Sequence, residues 1–225
     1  YINLCFRIAF EIIKSGLSVK FINGPISKKS FLNKKFLGIT EYISFKFSSK
    51  NNAMLIFNEK LSVCPITTHL PLKLVSKKIN KNLIVSKVRL VHEFYENNLG
   101  YKPKIAVTGL NPHCESTLNN NEDDKIIKPS IKHLKKNGLN ISGPYSADTI
   151  FLKQNRKDYD VIIGMYHDQV LGPLKTLYEH DAINITLGLP FIRISPDHGP
   201  NEEMVGKNLS NPLSLVKAIS CMDKH

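Results

Sequence analysis

The sequence has 225 residues, of which 42% are hydrophobic and 22% are charged, so the chain can bury a sizeable core and is globular. Its 31 Lys and Arg residues outnumber the 19 Asp and Glu residues and give a net charge of +12, but the lysines are scattered and no aromatic-interleaved basic stripe occurs. We therefore expect a lysine-rich solvated surface and no nucleic-acid partner, and no membrane partner, because no apolar run is long enough to span a bilayer.

Helices and strands are predicted to alternate, as in an α/β fold. In the first half they are, in chain order, a helix over residues 2–14, a strand over 18–22, a helix over 40–47, strands over 54–57 and 61–66, and one or two helices over 74–96. The first helix is expected to stop at Gly16, and strands 54–57 and 61–66 are expected to pair across the polar turn 58–60. Because a helical pattern begins directly after Tyr1, which is not Met, we expect the true start of the protein to be missing.

The second half continues the alternation. Its predicted elements are a strand over 105–108, a helix over 123–137, a short helix from about residue 149, a strand over 159–165, strands over 183–187 and 191–194, and a last helix over 212–222. Acidic residues at the start of the helix over 123–137 and lysines at its end match the helix dipole, and Pro129 is expected to shorten or kink it. Ser146 and Asp148 are expected to cap the short helix.

Three histidines each follow a predicted strand and a turn. They are His69 after residues 61–66, His113 after 105–108 and His167 after 161–165. In open α/β sheets the ligand site lies beyond such strand ends, so the three imidazoles are predicted to meet at one edge of one sheet. A divalent metal held by three neutral imidazoles keeps at least one coordination position open, which is typical of a catalytic site. For any one of these histidines alone, a structural or surface role is an equally good interpretation.

The cysteines indicate the compartment. The four cysteines, at positions 5, 64, 114 and 221, include no C-x-x-C pair. A reducing, cytoplasmic setting is the simplest interpretation of this pattern.

Six motifs occur in an order that is specific to a known family. They are Thr-Thr-His-Leu-Pro-Leu (67–72), Gly-Leu-Asn-Pro-His (109–113), Gly-Pro-x-x-Ala-Asp-Thr-x-Phe (143–151), Met-Tyr-His-Asp-Gln-Val-Leu (165–171), Asn-Ile-Thr-Leu-Gly-Leu-Pro-Phe-Ile-Arg (184–193) and Asp-His-Gly (197–199). On these motifs the sequence closely resembles the 4-hydroxythreonine-4-phosphate dehydrogenase family of pyridoxal phosphate biosynthesis, from Gly24 almost to its C-terminus.

The resemblance implies a fold and an assembly. The fold is the two-lobed, isocitrate/isopropylmalate dehydrogenase-like α/β/α type, and the assembly is a homodimer whose site lies in the cleft and is shared between subunits. Residues 1–35, joined by the C-terminal helix over 211–225, would be a remnant of the first lobe, while residues 36–210 would form the metal- and substrate-binding lobe. The N-terminal part of the first lobe is expected to be missing, because the family's Gly-Asp-Pro-Ala-Gly-Ile-Gly motif is absent.

The resemblance also implies an activity. It is that of a metal-dependent oxidoreductase, which uses NAD to oxidise and decarboxylate 4-phosphooxy-L-threonine to 3-amino-2-oxopropyl phosphate in the synthesis of pyridoxal 5'-phosphate (vitamin B6). The divalent metal would be zinc, cobalt or magnesium, and the positions that match its three ligands are His69, His113 and His167. The residues that bind NAD stay unspecified.

Further site residues follow from the same resemblance. The residues that hold the phosphorylated substrate match Lys175, Asn184 and Arg193, and the threonine of the family's Gly-His-Thr-Glu motif matches Thr40. Asp148 and Lys175 are the candidates for proton transfer. Without the resemblance, Asp148 as a helix cap, Lys175 as a surface lysine and Asn184 as a turn residue are the simpler interpretations.

Two departures from the family pattern keep other functions open. Ile39 stands where the family has the histidine of Gly-His-Thr-Glu, and Ser27 stands where it has the histidine of Gly-Pro-x-His-Lys. The first alternative is therefore a paralogous dehydrogenase of a phosphorylated sugar acid, such as 4-phosphoerythronate or phosphothreonate. The second, from a different class, is an inactive metal-binding or dimerisation fragment.

Overall fold

The structure is a computed structural model that describes residues 1–27, 31–32, 35–36, 38–115 and 121–224. Both predicted lobes include a few residues outside these ranges, and so does the predicted C-terminal helix, at His225. The chain folds into two compact units, one of Tyr1–Asn52 with His180–His225 and the other of Ala53–Glu179. These bounds differ from the predicted lobes, 1–35 and 36–210, because the strands after residue 180 pair with a strand near the N-terminus.

The α-helices are spread along the whole chain. In the described residues they are α1 (Ile2–Lys14), α2 (Ile39–Lys46), α3 (Val75–Lys78), α4 (Lys81–Phe94), α5 (Lys128–Lys136), α6 (Lys153–Arg156), α7 (His167–Tyr178) and α8 (Leu213–Lys224). Single helical turns of other types occupy Leu72–Leu74, Tyr95–Leu99, Pro112–Cys114, Asp123–Ile127 and Glu202–Met204.

The strands alternate with these helices. They are β1 (Lys20–Ile22), β2 (Ala53–Phe57), β3 (Ser62–Thr67), β4 (Ile105–Thr108), β5 (Ile141–Tyr145), β6 (Val161–Tyr166), β7 (Ile183–Leu187) and β8 (Ile192–Pro196). The predicted α/β class is confirmed.

In the residues that the structure describes, the first unit has three strands in the order β1-β8-β7. Strand β1 is parallel to β8, with Phe21 opposite Arg193, and β7 is antiparallel to β8, with Thr186 opposite Arg193. Helix α8 packs on all three strands. Arg193 therefore lies on the central strand of the three, with a neighbour on each side.

Aromatic rings dominate the core of the first unit. Phe6 and Phe10 lie one turn apart on α1, with ring centroids at 5.4 Å, because residues at i and i+4 share a helix face. Phe10 contacts Phe47 at 5.1 Å, and Phe47 contacts Phe191 at 4.7 Å. This chain of rings joins α1, the end of α2 and the start of β8.

The described part of the second unit has five strands in the order β2-β3-β6-β4-β5. Strand β2 is antiparallel to β3, and β3, β6, β4 and β5 are parallel to their neighbours. Strands β3 and β4 are buried along their whole length, as expected for parallel strands covered on both faces. Helix α7 packs on β3 and β6, and Gly164 permits this approach because a Cβ there would lie 2.4 Å from a Val170 methyl carbon.

Several predicted elements are confirmed and others need correction. The helix over 2–14 and the antiparallel pairing of strands 54–57 and 61–66 are confirmed. The helix over 123–137 begins as a π-turn, and α5 starts only at Lys128, so that Pro129 sits in the first turn, where its missing N–H is not needed. No helix begins near Thr149: the Ser146 carbonyl accepts hydrogen bonds from the N–H groups of Thr149 and Ile150 in a turn, and α6 starts at Lys153.

Two elements were missed. Helix α7 contains Gly172 and Pro173, two helix-breaking residues that mask its helical period. Strand β5 contains Gly143 and Pro144, which are typical of turns. None of the described helices is long and apolar enough to cross a membrane.

The aromatic core of the first unit gives a stability prediction. Phe10 is 7% exposed, so Phe10→Ala removes a buried ring and is expected to lower the free energy of unfolding by about 3–5 kcal/mol. Leu4 lies on the same helix but is 47% exposed. Leu4→Ala is therefore expected to change the free energy of unfolding by less than about 0.5 kcal/mol. Urea denaturation followed by circular dichroism measures both, and equal effects would show that the ring cluster is not the core.

Candidate metal and phosphate site

The carboxyl ends of three neighbouring strands lie at one edge of the sheet in the second unit. Strand β6 is central, with β3 and β4 parallel to it on either side. His69 follows β3, His167 directly follows β6, and His113 follows β4. The predicted placement of the three strand ends at one edge is therefore confirmed.

Two of the three histidines are close together. Thr67 at the end of β3 pairs with Tyr166 at the end of β6, and the rings of His69 and His167 are 6.1 Å apart between centroids. Two imidazoles that bind one zinc ion at about 2.0–2.1 Å place their ring centres roughly 5–6 Å apart. The 6.1 Å spacing of this pair is slightly longer than that range, so the two rings are neighbours that would move closer to share one ion.

An acidic side chain holds His167 in place. The Nδ1 atom of His167 lies 2.7 Å from the Asp168 carboxylate, and a carboxylate is an acceptor, so this contact favours the neutral tautomer with its proton on Nδ1. The Nε2 atom is then left with a lone pair. Ligand histidines are commonly oriented by a hydrogen bond of this kind.

The third histidine is placed by an unusual turn. His113 and Cys114 have φ angles of 57° each, the left-handed region, which costs a residue with a side chain about 1–2 kcal/mol. Among the residues that the structure describes, no group of three His, Cys, Asp or Glu side chains is arranged to hold a metal ion. All three metal ligands, His69, His113 and His167, thus stay predictions.

Buried polar side chains cross-link the edge. The Gln169 side-chain oxygen accepts hydrogen bonds from the Met165 N–H at 2.7 Å and from the Thr108 hydroxyl at 2.9 Å. Its amide nitrogen donates to the Gly109 carbonyl at 2.8 Å. Gln169 therefore ties the end of β4 to the end of β6, and it was not singled out from the sequence, although it lies in the Met-Tyr-His-Asp-Gln motif.

The two predicted proton-transfer residues lie in different parts of the second unit. Asp148 is exposed in the turn after β5. Burial raises the pKa of the Cys114 thiol, and the charges of Asp123 and Asp148 raise it further. The charge of Asp148 is therefore felt at Cys114, the residue next to His113. Lys175 is half-buried on α7, about 12 Å along the helix axis from His167.

Arg193 is the centre of a polar cluster in the first unit. It is 2% exposed, and its Nε donates to the Asn23 side-chain oxygen at 2.8 Å. Its Nη1 donates to the Thr186 hydroxyl at 2.9 Å and approaches the Thr40 hydroxyl at 3.4 Å. Two of the predicted substrate residues, Thr40 and Arg193, are thus brought together, whereas Asn23 and Thr186 were not predicted.

Asn184 lies on the same sheet face as this cluster. It is two residues from Thr186 on β7, and positions i and i+2 of a strand point to one face. The side-chain oxygen of Asn184 is buried and has no hydrogen-bond partner in the described residues. An unsatisfied buried acceptor is costly, so this oxygen is available to a donor on a ligand.

Burial also changes the electrostatics of Arg193. Desolvation lowers the pKa of the guanidinium to about 10, and the charge of Glu41 partly opposes this. Arg193 is still a cation at neutral pH. A buried cation that donates to the neutral side chains of Asn23 and Thr186, and whose charge Glu41 offsets only in part, is suited to an anionic ligand.

Comparisons with known proteins agree on one family. A family model described as "Pyridoxal phosphate biosynthetic protein PdxA" matches residues 1–222. The chain is 46% identical over 199 residues to a 4-hydroxythreonine-4-phosphate dehydrogenase of Sulfurihydrogenibium sp. (strain YO3AOP1), which covers 87% of this chain and 61% of the relative. It is 39% identical over 221 residues to the protein of that name from Xanthobacter autotrophicus, with 94% and 63% covered. The chain therefore spans somewhat less than two thirds of these curated relatives.

A solved structure supports the same assignment. The 4-hydroxythreonine-4-phosphate dehydrogenase from Klebsiella pneumoniae is similar with a TM-score of 0.82 and 32% sequence identity. The match covers 98% of this chain and 69% of that one.

The Gln169 cross-link generates a prediction. Gln169→Leu leaves the Met165 N–H, the Thr108 hydroxyl and the Gly109 carbonyl without this partner, and is expected to lower the free energy of unfolding by about 2–4 kcal/mol. Gln154→Leu, at an exposed position on α6, serves as the control and should leave it nearly unchanged. Denaturant titration of both variants provides the measurement, and a fully stable Gln169→Leu protein would contradict the cross-link.

Proposed function

Because the chain belongs to the PdxA family of pyridoxal phosphate biosynthetic proteins, we propose that it carries the metal- and phosphate-binding residues of a 4-hydroxythreonine-4-phosphate dehydrogenase. The reaction is the NAD-dependent oxidation and decarboxylation of 4-phosphooxy-L-threonine to 3-amino-2-oxopropyl phosphate. The homodimer implied by the family resemblance and a cytoplasmic location belong to the same proposal.

The observation that carries this proposal is the pair of imidazoles at the ends of β3 and β6. His69 and His167 have ring centroids 6.1 Å apart, and Asp168 leaves the Nε2 atom of His167 free for an ion. These two residues would hold a divalent metal, with His113 as the third ligand. Since the resemblance implies a site shared between subunits, the three ligands need not come from one chain.

The chemistry divides between the bound groups and the side chains. When bound, NAD would supply the hydride acceptor, and a divalent metal held by His69, His113 and His167 would supply Lewis-acid polarisation of the substrate oxygen. Asp148 and Lys175 supply the proton transfers: one proton leaves the hydroxyl during oxidation, and one is added to the enolate carbon after carbon dioxide departs. The ketone lies β to the carboxylate, so the electron pair of the broken C–C bond has an acceptor.

The phosphate is assigned to the polar cluster of the first unit. The guanidinium of Arg193 would offer the donors of its Nη2 atom to phosphate, while the contacts of Nε with Asn23 and of Nη1 with Thr186 fix its orientation. Thr40 lies at 3.4 Å from the same guanidinium and contributes a hydroxyl. The unsatisfied oxygen of Asn184 suits a donor such as the substrate ammonium or hydroxyl.

One observation favours the alternative substrate. Ile39 is 8% exposed and packs in the aromatic core of the first unit, so this position offers no polar group to a ligand. A phosphorylated sugar acid carries a neutral hydroxyl where phosphooxy-threonine carries an ammonium group, and an uncharged group is less costly to place near an apolar side chain. The paralogous function therefore stays as the second candidate.

A substrate panel tests both candidates. Reduction of NAD, followed by absorbance of NADH, is measured with 4-phosphooxy-L-threonine, 4-phosphoerythronate and phosphothreonate, on the 225-residue chain and on the complete product of its gene. We expect the highest kcat/KM with 4-phosphooxy-L-threonine. A preference for a sugar acid supports the paralogous function instead, and absence of turnover with all three substrates refutes the dehydrogenase proposal.

The phosphate assignment generates a separate prediction. Arg193→Lys keeps the charge but loses the planar fork, and the loss of one charge-assisted hydrogen bond, about 1.5–3 kcal/mol, is expected to raise KM for the phosphorylated substrate roughly 10- to 100-fold. Arg7→Lys, on the exposed face of α1, is the matched control. Steady-state kinetics provide the measurement, and an unchanged KM would remove Arg193 from the phosphate site.

A further inference from the structure

The turn after β4 holds two consecutive residues in a conformation that side chains disfavour. His113 and Cys114 both lie in the left-handed region, at φ 57°. The fold must therefore supply contacts that hold the backbone there, because such residues persist only where their surroundings fix them. Cys114 is also 6% exposed, so the turn is folded inward rather than extended into solvent.

A buried carboxylate anchors the backbone just before these two residues. Asp123 is fully buried, and its two oxygens accept hydrogen bonds from the Leu110 N–H at 2.8 Å, the Asn111 N–H at 3.1 Å and the Asn111 side-chain amide at 2.8 Å. An ionised carboxylate only accepts hydrogen bonds, so each of the three N–H donors faces an acceptor. A neutral amide in its place would direct an NH₂ group at one of these donors.

The packing of the turn matches this arrangement. A Cβ on Gly109 would lie 2.6 Å from the Asp123 carboxylate and 2.7 Å from the Cys114 sulfur, so the glycine permits both to approach. Beyond Asp123 the chain enters the π-turn Asp123–Ile127 and then α5. The carboxylate thus joins the turn that carries His113 to the start of the helical segment that packs on β5.

We propose that Asp123 is the positioning residue of His113: its buried carboxylate anchors Leu110 and Asn111, which lead directly into the left-handed residues His113 and Cys114, and so sets where the His113 imidazole lies. The proposal rests on the proposed function in one respect, that His113 is a metal ligand. The hold of Asp123 on the turn does not depend on that function and is measured separately.

The chain offers a matched pair of variants. Asp123→Asn keeps the size of the side chain but replaces an acceptor by a donor. Asp124→Asn makes the same change at the next residue, where the carboxylate is half-exposed and pairs with Lys128. Asn111→Ala removes only one of the three donors to Asp123, so it tests the same contact if Asp123→Asn fails to fold.

The first measurement is the rate at which N-ethylmaleimide labels Cys114, resolved from the other three cysteines by peptide mass spectrometry. Release of the turn exposes the thiol, so Asp123→Asn is expected to raise this rate at least tenfold and Asn111→Ala by a smaller factor. Asp124→Asn should stay within twofold of the unaltered chain. Equal rates for Asp123→Asn and Asp124→Asn overturn the proposal.

The second measurement is the dissociation constant of zinc in the unaltered chain and in Asp123→Asn, Asp124→Asn and His113→Ala. Displacement of the ligand is expected to raise the constant about 10- to 100-fold in Asp123→Asn, with no change in Asp124→Asn. A rise in His113→Ala without one in Asp123→Asn overturns the positioning role, since a purely structural carboxylate alters stability alone. If His113→Ala leaves zinc binding unchanged, the metal assignment of His113 fails, and the labelling rates alone decide whether Asp123 holds the turn.

Discussion

Parallel pairing of β3, β6 and β4 is the constraint on which the candidate metal site depends. Parallel strands run in the same direction, so the residues that follow them emerge at one edge. The pairing of Thr67 with Tyr166 then makes His69 and His167 neighbours, although 98 residues of sequence separate them. A shift of one residue in this register would turn the side chains of β3 to the opposite faces. Strand register, more than local sequence, thus determines which residues meet at the candidate metal site.

The same edge is stiffened by polar side chains that are buried. Gln169 spans β4 and β6 with three hydrogen bonds, and Asp123 receives three from the turn after β4. Each group is costly to bury and stable only when satisfied. Partial rearrangement would leave donors or acceptors unpaired in a dry environment, so these networks favour one geometry over neighbouring ones. A ligand site gains from such fixed geometry because little ordering is left to the binding step.

The sequence predicted local structure well and long-range contacts poorly. Hydrophobic period identifies the helix over 2–14 and the strands that carry the three histidines, because burial of one face is a local property. Helix α7 was not predicted because Gly172 and Pro173 interrupt its helical pattern. Its stability comes from packing on β3 and β6, which the local sequence does not show. The contact of Asn23 with Arg193 spans 170 positions, and no periodicity signals it. Asp123 was interpreted only as an acidic residue at a helix start, although its main partners precede it in the chain.

The candidate metal site and the proposed phosphate site differ in their electrostatics. His69 and His167 are half-buried and neutral imidazoles are their ligand form, so they attract a cation by lone pairs rather than by charge. Arg193 is buried, and desolvation lowers its pKa to about 10, which still leaves it protonated at neutral pH. Its desolvation opposes the charged form, and a phosphate anion would offset that cost by direct pairing. In the proposed phosphate site, the buried guanidinium would therefore discriminate for phosphorylated over unphosphorylated ligands more strongly than an exposed lysine would.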